Sequence, residues 1–377
     1  MRSLCSLALF LPFLLAAQPF AVGTRDDAFF DADRGRTVDC RVYHPAVAAG
    51  ENVDLAEGQF PVLAVGHGFV MTVNAYEYLG VHYAEQGYIV VLPTTEGGFA
   101  PDHAAFGADL AFLGQAFIAA GADEASVYFG HVEPSIVLMG HSMGGGAAFL
   151  GAAAAPLIKA LVTLAPAETS PSAVAAAGFV SVPALVFAAS EDCVTPIADH
   201  QGPMYDALAS SCKAFVNITG GGHCYFGDAS LTCSFGELTC GPDLTISREE
   251  QHAVVTDLTD LWLRVHVREE DAAWAPLLDS LSATTRYVAA TTCIATGVPD
   301  GVAEGDVLVT YADGVAWVEG AMAGGTLQLF GADGRAALTE RVTGVRQAIA
   351  LHHLPSGVYL LVGSCASGRW ARRLHVH

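Results

Sequence analysis

The sequence predicts a doubly wound α/β fold with a mostly parallel sheet, followed by a small all-β sandwich domain. Two observations lead to this prediction. Up to about residue 274, short apolar segments alternate with helical stretches of 10–20 residues, as in successive βαβ units. From about residue 302, apolar residues instead recur at every second position, which is typical of antiparallel strands.

The elements of the first part follow in chain order. Apolar runs predict strands at residues 37–43, 61–66, 88–93, 135–140, 160–165, 184–189 and 213–219. Helices are predicted at Ala75–Gln86, Ala104–Ala120, Met143–Ala155 and Ser247–Val267. The last helix opens on Ser247-x-x-Glu250, a capping pattern. Runs that are apolar at consecutive positions indicate strands buried on both faces, hence a parallel sheet covered by helices on both sides.

The two ends of the chain differ from this pattern. Arg2 and the apolar run Leu4–Ala17 predict a signal peptide over residues 1–23, with cleavage between Ala17 and Thr24. An α/β domain then covers residues 24–279, and a stretch rich in Ser, Thr, Ala and Gly predicts a linker over 280–301. Residues 302–377 form the all-β domain, with hairpin turns at Asp313-Gly314 and Asp333-Gly334. No segment after the signal peptide has transmembrane length.

Charge and cysteine content narrow the functional classes. The net charge is −22, and residues 24–299 hold 32 acidic against 10 basic residues. A field of this sign repels nucleic acid and anionic membranes, so we expect no nucleic-acid partner. Eight cysteines follow the signal peptide, an even number that favours disulfides in an exported chain, although the sequence does not give their pairing. Neither CxxC nor HExxH occurs, so we expect no metal site.

The motif with the clearest chemistry is Gly140-His141-Ser142-Met143-Gly144. A predicted strand precedes it and an alanine-rich helix follows, which is the strand–turn–helix setting of a nucleophile elbow. The glycines permit a tight turn and a close approach of strand and helix. The helix N-terminus after Ser142 favours a developing negative charge. We therefore predict that Ser142 is a nucleophile.

A serine nucleophile needs a base, and the base needs an acid that orients it. In this type of fold the chain order is Ser, then Asp or Glu, then His. Asp192 follows the strand at 184–189, and His223 follows the strand at 213–219. Both come just after the carboxyl end of a strand, where open α/β sheets place their sites. We assign Asp192 as the acid and His223 as the base, with the neighbouring Glu191 as the alternative acid.

The oxyanion hole is expected from two backbone N–H groups. The loop Gly66–Val70 follows an early strand, where this fold supplies one donor, and the residue after the nucleophile supplies the other. These are the N–H groups of Phe69 and Met143, and the Phe69 ring also offers an apolar wall to the acyl group. His141 lies inside the elbow and is expected to point away from the line of attack.

These residues together resemble the bacterial polyester hydrolases of the cutinase and PET-hydrolase kind, and more loosely dienelactone hydrolases and chlorophyllases. The similarity runs from about Arg36 to Val267 and implies that Phe69 and Met143 occupy the oxyanion and substrate-clamp positions. It also implies that a disulfide between Cys193 and Cys224 pins the acid to the base. One feature differs, because Ala167-Glu168 follows Ala165-Pro166 where these enzymes carry a Trp.

The end of the chain resembles a type IX secretion sorting domain. The resemblance rests on Asp333-Gly334-Arg335, on Leu354–Leu361 and on the basic pair Arg372-Arg373. It implies export by the type IX machinery, followed by removal of the domain or attachment to the cell surface. An ordinary β-sandwich binding module is the alternative.

The function predicted from the sequence is that of a secreted or surface-attached, monomeric serine hydrolase of small or polymeric carboxylic esters, without a cofactor. A secreted lipase, acyltransferase or peptidase could use the same three residues. A surface binding protein on an inactive scaffold is the alternative from another class, against which the intact Ser142, Asp192 and His223 set argues. At least one disulfide is expected within residues 193–240, while Cys293 and Cys365 are expected to pair separately.

Overall fold

The computed structural model describes residues 19–155, 157–282 and 284–293, and then 307–312, 314–320, 325–331, 336–342, 344, 346–365 and 368–376. The predicted signal peptide lies outside the described residues up to residue 18. Its last three residues, 21–23, begin the first strand and pair with residues 46–44.

A ten-stranded sheet forms the centre of the fold. In chain order its strands are β1 (Ala21–Asp31), β2 (Arg36–Ala46), β3 (Gly50–Glu51), β4 (Phe60–Gly66), β5 (Ile89–Pro93), β6 (Val132–His141), β7 (Ile158–Leu164), β8 (Ala184–Ala189), β9 (Lys213–Ile218) and β10 (Tyr287–Thr291). Across the sheet the order is β10-β9-β8-β7-β6-β4-β5-β2-β1-β3.

The middle of this sheet is parallel, as the apolar runs predict. β5, β4, β6, β7 and β8 pair in parallel, whereas β2 pairs antiparallel with both β5 and β1. In β4 the consecutive residues Val62 and Leu63 are both fully buried, so both faces of the sheet are covered. The predicted mostly parallel sheet with helices is confirmed, and β1 is a strand that the sequence analysis missed.

Eight α-helices lie in the described residues. They are α1 (Glu77–Glu85), α2 (His103–Ala122), α3 (Met143–Ala154), α4 (Ala173–Ala177), α5 (Gln201–Ala207), α6 (Leu231–Leu238), α7 (Arg248–His266) and α8 (Trp274–Ser280). α1, α2, α3 and α7 correspond to the four predicted helices. α4, α5, α6 and α8 are only five to eight residues long, too short to give a clear helical period in the sequence.

The expectation that no segment after the signal peptide has transmembrane length is wrong for helix α2, which has the length and apolar composition of a membrane-spanning segment. It is the one such helix among the described residues. Its side chains nevertheless belong to the protein core. Phe106 and Leu110 are fully buried in one hydrophobic cluster, and Leu113 and Phe117 in a second. Its buried Asp109 forms ion pairs with two arginines. We therefore assign α2 as a core helix.

Contacts divide the chain into two compact units. The first unit runs to Ser210 and includes Phe215–Thr256, and it holds every residue assigned to the catalytic machinery. The second unit consists of Ser211–Ala214 and everything from Asp257 onward. It includes β10, which lies within the stretch predicted as a linker; residues 294–301 of that stretch lie outside the described residues. The predicted domain boundaries stay predictions.

The second unit also contains two small antiparallel sheets, which confirm an all-β region. They are formed by β11 (Val307–Ala312), β12 (Val315–Gly320), β13 (Thr326–Phe330), β14 (Ala336–Arg341), β15 (Arg346–Ala350), β16 (Gly357–Cys365) and β17 (Gly368–Val376), in the orders β11-β12-β15 and β14-β13-β16-β17. Side chains from both sheets share one hydrophobic cluster. Ala312 pairs with Val315 across a two-residue turn in which Gly314 has φ 74°, as its predicted hairpin requires. The turn predicted at residues 333–334 lies outside the described residues.

Candidate active site

Ser142 occupies a strained turn between β6 and α3. Its φ of 54° and ψ of −121° fall in a region that side-chain-bearing residues rarely adopt. The turn is held by backbone hydrogen bonds, from Ser142 N–H to the Leu164 carbonyl and from Ala167 N–H to the Ser142 carbonyl. The local geometry is that of the elbow that the sequence motif predicts.

The glycines around Ser142 are required by close backbone contacts. A Cβ added at Gly140 would lie 2.2 Å from the Gly144 carbonyl oxygen. A Cβ at Gly144 would lie 2.3 Å from the backbone carbonyl of Gly66, at the end of β4. No real Cβ makes contacts this short, so strand, elbow and helix approach one another only because these side chains are absent.

Ser142, His223 and Asp192 form one hydrogen-bonded chain. The His223 Nε2 atom lies 3.0 Å from Ser142 Oγ, and His223 Nδ1 lies 2.8 Å from Asp192 Oδ2. All three residues are buried, with His223 the most enclosed. A neutral imidazole that donates from Nδ1 to the carboxylate leaves Nε2 free to accept the serine proton. Glu191 instead accepts a hydrogen bond from the hydroxyl of Ser190 and makes no contact with His223.

The carboxylate of Asp192 is held by more than its histidine. Oδ1 accepts the backbone N–H groups of Val194 at 2.9 Å and Thr195 at 2.8 Å. Oδ2 accepts the Thr195 hydroxyl at 2.8 Å, and that hydroxyl accepts from the buried Gln201 side-chain amide at 3.0 Å. The same amide donates to the Thr195 carbonyl and to the carbonyl of Pro166. Gln201 was not among the residues selected from the sequence, because no motif marks a single buried glutamine.

His141 points away from the serine, as expected, and it connects the loop after β4 with the loop that carries His223. Its Nε2 atom lies 3.1 Å from the His223 carbonyl oxygen, which can only accept, so this nitrogen carries the proton. Its Nδ1 atom then accepts the Tyr76 hydroxyl at 2.7 Å. The Tyr76 hydroxyl oxygen in turn accepts the backbone N–H of Gly68 at 2.8 Å. The network therefore runs from the loop after β4 to the loop that carries His223.

The His141 imidazole and the Tyr76 phenol of this network are both uncharged. The pKa of His141 lies well below its usual range, chiefly because the ring is fully buried and also because His223 lies beside it. Burial raises the pKa of the Tyr76 phenol, so it keeps its proton. Tyr76 is a second residue that the sequence analysis missed, since its role depends on a tertiary contact with the elbow.

The loop after β4 places Phe69 beside the serine. Neither the Phe69 nor the Met143 backbone N–H donates a hydrogen bond to another described residue, so both are available to an oxyanion. Val70, next along, has φ 53°, one of several strained residues in loops at the carboxyl ends of the parallel strands. His67 is buried and contacts the Gly68 and Thr95 carbonyls, so it supports the loop.

A cleft of about 390 Å³ lies at Ser142. Its lining is mostly apolar, and it includes Phe69, Met143 and Val194. Ala167 and Glu168 line the cleft where the resembled family carries a Trp, so a methyl group and a carboxylate stand there in place of an aromatic ring. The exposed ring of Phe99 lies edge-on to Phe69, with 6.4 Å between the ring centroids.

Disulfides brace the two loops that carry Asp192 and His223, but not in the pairing that the resemblance implies. Cys193, beside Asp192, pairs with Cys240, and Cys224, beside His223, pairs with Cys233. The expected bond between Cys193 and Cys224 is therefore wrong. The more general prediction of a disulfide within residues 193–240 is confirmed.

The other cysteines complete this picture. Cys212, which lies within residues 193–240, pairs with Cys293, so the expectation that Cys293 pairs separately from that region is wrong; the side chain of Cys365 lies outside the described residues. Cys40 is free and buried. Only one group of three potential metal ligands occurs among the described residues, and it consists of Cys212, Cys293 and His266. Since its two sulfurs are bonded to each other, the group does not fit a metal ion.

Comparison with known proteins places this geometry in context. A model of the family described as PET hydrolase-like matches residues 39–238, just over half of the chain. Cutinase 2 of Thermobifida cellulosilytica is 28% identical over 212 residues, which cover 54% of this chain and 72% of that protein. Cutinase est1 of Thermobifida alba is 28% identical over 167 residues, covering 44% of this chain and 53% of the relative.

A third relative carries a more specific name. The bis(hydroxyethyl) terephthalate hydrolase of Streptomyces coelicolor is 28% identical over 173 residues, which cover 45% of this chain and 52% of that enzyme. The chain thus spans about half the length of two of these three relatives.

Proposed function

The chain belongs to the PET hydrolase-like family, and on that premise we propose that it hydrolyses carboxylic esters with Ser142 as nucleophile. The observation that carries the proposal is the continuous hydrogen-bonded chain from Ser142 Oγ through His223 to Asp192. Geometry of this kind activates a serine hydroxyl, because the base is within reach of the proton and its orientation is fixed.

The reaction follows from the positions of these groups. His223 Nε2 takes the Ser142 proton as Oγ attacks the ester carbonyl carbon, and Asp192 stabilises the imidazolium that forms. The N–H groups of Phe69 and Met143 donate to the oxyanion of the tetrahedral intermediate. His223 then protonates the leaving alcohol, and an acyl group stays on Ser142. Water attacks the acyl-enzyme by the same steps in reverse and releases the acid.

The substrate class follows from the cleft and the relatives. The relatives are named as cutinases and as a bis(hydroxyethyl) terephthalate hydrolase, so we propose a polyester or cutin-like ester for this chain. With Ala167 in the cleft, one wall lacks an aromatic ring. We therefore propose that aliphatic esters are turned over faster than terephthalate esters. The loose likeness to dienelactone hydrolases points to the same ester chemistry. Lipase, acyltransferase and peptidase activities remain the alternatives on the same three residues.

We also propose that the chain is exported and acts outside the cell as a monomer. Three disulfides support an oxidising location. Strand β1 begins at Ala21, so signal cleavage in the early part of the predicted interval leaves the strand whole. The antiparallel sheets of the C-terminal unit suit a sorting domain for type IX secretion, and deletion of residues 302–377 tests that role. Intracellular retention of the shortened protein supports it, whereas normal export contradicts it.

The catalytic proposal is tested with a short-chain 4-nitrophenyl ester on the full chain and on Ser142→Ala. Loss of the activated serine lowers turnover by about 10⁴-fold or more. A fluorophosphonate probe is expected to label the parent protein at Ser142 only, and peptide mapping identifies the site. A fully active Ser142→Ala protein, or labelling at another serine, contradicts the mechanism. A parent protein inert to both ester and probe favours a binding protein on an inactive scaffold.

A further inference from the structure

Helix α6 exposes an unusually apolar face. Leu231, Phe235 and Leu238 are 92%, 72% and 78% exposed. Their spacing of four and three residues places them on one side of the helix. Soluble proteins scatter single apolar residues over their surface, but three large side chains on one helical face form a contiguous patch of the kind that marks an interaction site.

This face is covalently tied to the candidate active site. Cys233, within α6, is bonded to Cys224, which follows His223 in the chain. Cys240, two residues beyond the end of α6, is bonded to Cys193, which follows Asp192. The helix is thus anchored near both ends to the loops that carry the base and the acid. Whatever binds the apolar face is held at a fixed distance from Ser142.

A second set of exposed apolar side chains lies at the cleft. Val194, next to the bridged Cys193, lines the cleft and is partly exposed. Phe69 lines the cleft, and the strongly exposed Phe99 lies against the Phe69 ring, so both present aromatic rings to solvent. The cleft therefore has apolar side chains at its rim as well as along its lining.

Charge decides what kind of partner fits. Between Lys213 and Arg248 the chain contains no lysine or arginine, whereas Asp243 is exposed and Asp228 is partly exposed; the third acidic residue, Glu237, is buried. The whole chain has a net charge of −22. Anionic lipid and polyanions are repelled by such a surface. The exposed aromatic and aliphatic side chains, with no lysine or arginine in this stretch, therefore favour a partner with an uncharged, apolar surface.

We propose that the face of α6 formed by Leu231, Phe235 and Leu238 is an adsorption surface for solid, uncharged polyester, which it holds beside the Ser142 cleft. The proposal rests on the proposed function for the identity of the polymer. It assigns to α6 a role in binding an insoluble substrate that is separate from the chemistry at Ser142. A small soluble ester reaches the cleft without this face.

The test measures binding and turnover separately. Adsorption to poly(ε-caprolactone) particles is measured with the full chain carrying Ser142→Ala, which leaves the particles intact. In that background, Leu231→Gln, Phe235→Gln and Leu238→Gln together are expected to weaken adsorption by tenfold or more. Glutamine is chosen because it keeps a high helix propensity without the apolar area. In the active protein the same three changes are expected to slow release of acid from the particles and to leave turnover of a soluble 4-nitrophenyl ester unchanged.

A matched control variant, Phe179→Gln, lies at the opposite end of the parallel strands. Phe179 is 77% exposed and precedes β8, whereas Asp192 follows the end of that strand. Phe179→Gln therefore removes a comparable exposed ring far from the cleft and is expected to leave adsorption unchanged. If the triple variant fails to fold, Phe235→Gln alone is measured instead, with an expected loss of twofold or more.

Three results overturn the proposal. The first is unchanged adsorption of the folded triple variant, or equal losses for Phe179→Gln. The second is an equal fall of activity on soluble ester and on particles, which makes α6 a support of the active site. The third is a parent protein that is dimeric by light scattering and that the triple variant renders monomeric, which assigns the face to a second copy. Adsorption without any ester hydrolysis by the parent protein contradicts the proposed function and leaves the surface in place.

Discussion

Ser142 and its two proposed partners, Asp192 and His223, are positioned by different means within the same site. Ser142 is positioned by the backbone, since the approach of β4, β6 and α3 leaves no room for a Cβ at Gly140 or Gly144. Asp192 and His223 lie on loops that leave the sheet, and these loops are held by side-chain hydrogen bonds and disulfides. The elbow therefore depends on the absence of side chains at its glycines, whereas the loops depend on side-chain hydrogen bonds and disulfides.

This difference predicts how each region fails. A single added methyl group disrupts the elbow, because the neighbouring atoms are backbone and cannot move away. The loops tolerate many changes of side chain but lose their geometry when a cross-link or a specific hydrogen-bond partner is removed. The strained backbone at Ser142 agrees with a rigid elbow, because only a rigid surrounding structure maintains an unfavourable φ.

The largest effect on turnover is expected from Asp192→Asn, a change in one of the two loops. The amide keeps the size of the side chain but no longer stabilises the imidazolium or selects the Nδ1–H tautomer of His223. We expect turnover of a soluble ester to fall by about 10³–10⁴-fold, with little change in melting temperature. Glu191→Gln is the control and is expected to stay within about twofold, because Glu191 bonds Ser190 instead. The assignment of the acid is wrong if Glu191→Gln causes the larger loss.

On the side of the elbow, Gly144→Ala is expected to lower the free energy of unfolding by about 3 kcal/mol or more. The new methyl group would overlap the Gly66 carbonyl, so β4 and α3 must separate. Gly236→Ala in α6 is the matched control, since no atom lies within 4 Å of its added Cβ. There the same change is expected to stabilise the helix by up to about 1 kcal/mol. Denaturant unfolding measures both, and similar values for the two variants would mean that the elbow can relax.

The contrast also explains how much the sequence could reveal. Ser142 and its turn were predictable because a backbone requirement leaves a glycine pattern in consecutive residues. The chain order of the strands places the loops of Asp192 and His223 at one end of the sheet, which is why the sequence could point to both residues; their catalytic roles stay predictions. Gln201 and Tyr76 were not found, since each acts through a contact with a residue distant in the chain. The pairing of Cys193 failed for the same reason, because neighbours in sequence do not determine which sulfurs meet in space.

Removing the two disulfides one at a time shows how much each contributes to the stability of the loops. The bridge Cys193–Cys240 closes a loop across 47 positions, and Cys224–Cys233 closes one across nine. Loop-closure entropy then predicts losses of about 4 and about 3 kcal/mol for the paired changes to alanine. Both variants are expected to lose ester turnover as well, because base and acid are less well aligned. Thermal unfolding and ester assays check this, and an unchanged melting temperature for either pair would remove that disulfide from the account.

The pH dependence of stability reports on His141, which belongs to the elbow. Its pKa is lowered by burial and by the nearby His223, so the native ring stays neutral where the unfolded ring takes up a proton. Below about pH 6.5 the unfolded state therefore binds more protons than the native state. As the pH falls further, this group lowers the free energy of unfolding by roughly 1 kcal/mol per pH unit. His141→Gln is expected to reduce the slope of unfolding free energy between pH 6 and pH 5 by that amount. An identical slope in parent and variant would mean that His141 is protonated in the native state.

One contact joins the two regions of the site. The Tyr76 hydroxyl accepts from Gly68 N–H in the loop after β4 and donates to His141, which donates to the His223 carbonyl. Tyr76→Phe removes one oxygen and leaves the ring, so the packing is kept while a buried N–H and a buried imidazole nitrogen each lose a partner. We expect the free energy of unfolding to fall by about 1–3 kcal/mol. We also expect kcat for a soluble ester to fall by about tenfold, since displacement of roughly 1 Å at the oxyanion loop is costly.

The split between kcat and KM distinguishes positioning from simple destabilisation. Loss of alignment between the Phe69 N–H and His223 lowers kcat with KM little changed, because that interaction is made only in the transition state. Tyr78→Phe is the control. Its hydroxyl donates to the Phe226 carbonyl and has no bond to Gly68 or His141, so it is expected to lower stability by a similar amount while leaving kcat of the folded protein unchanged. If the two variants show the same kcat, then backbone packing alone aligns the elbow with the loops, and the two regions of the site are independent.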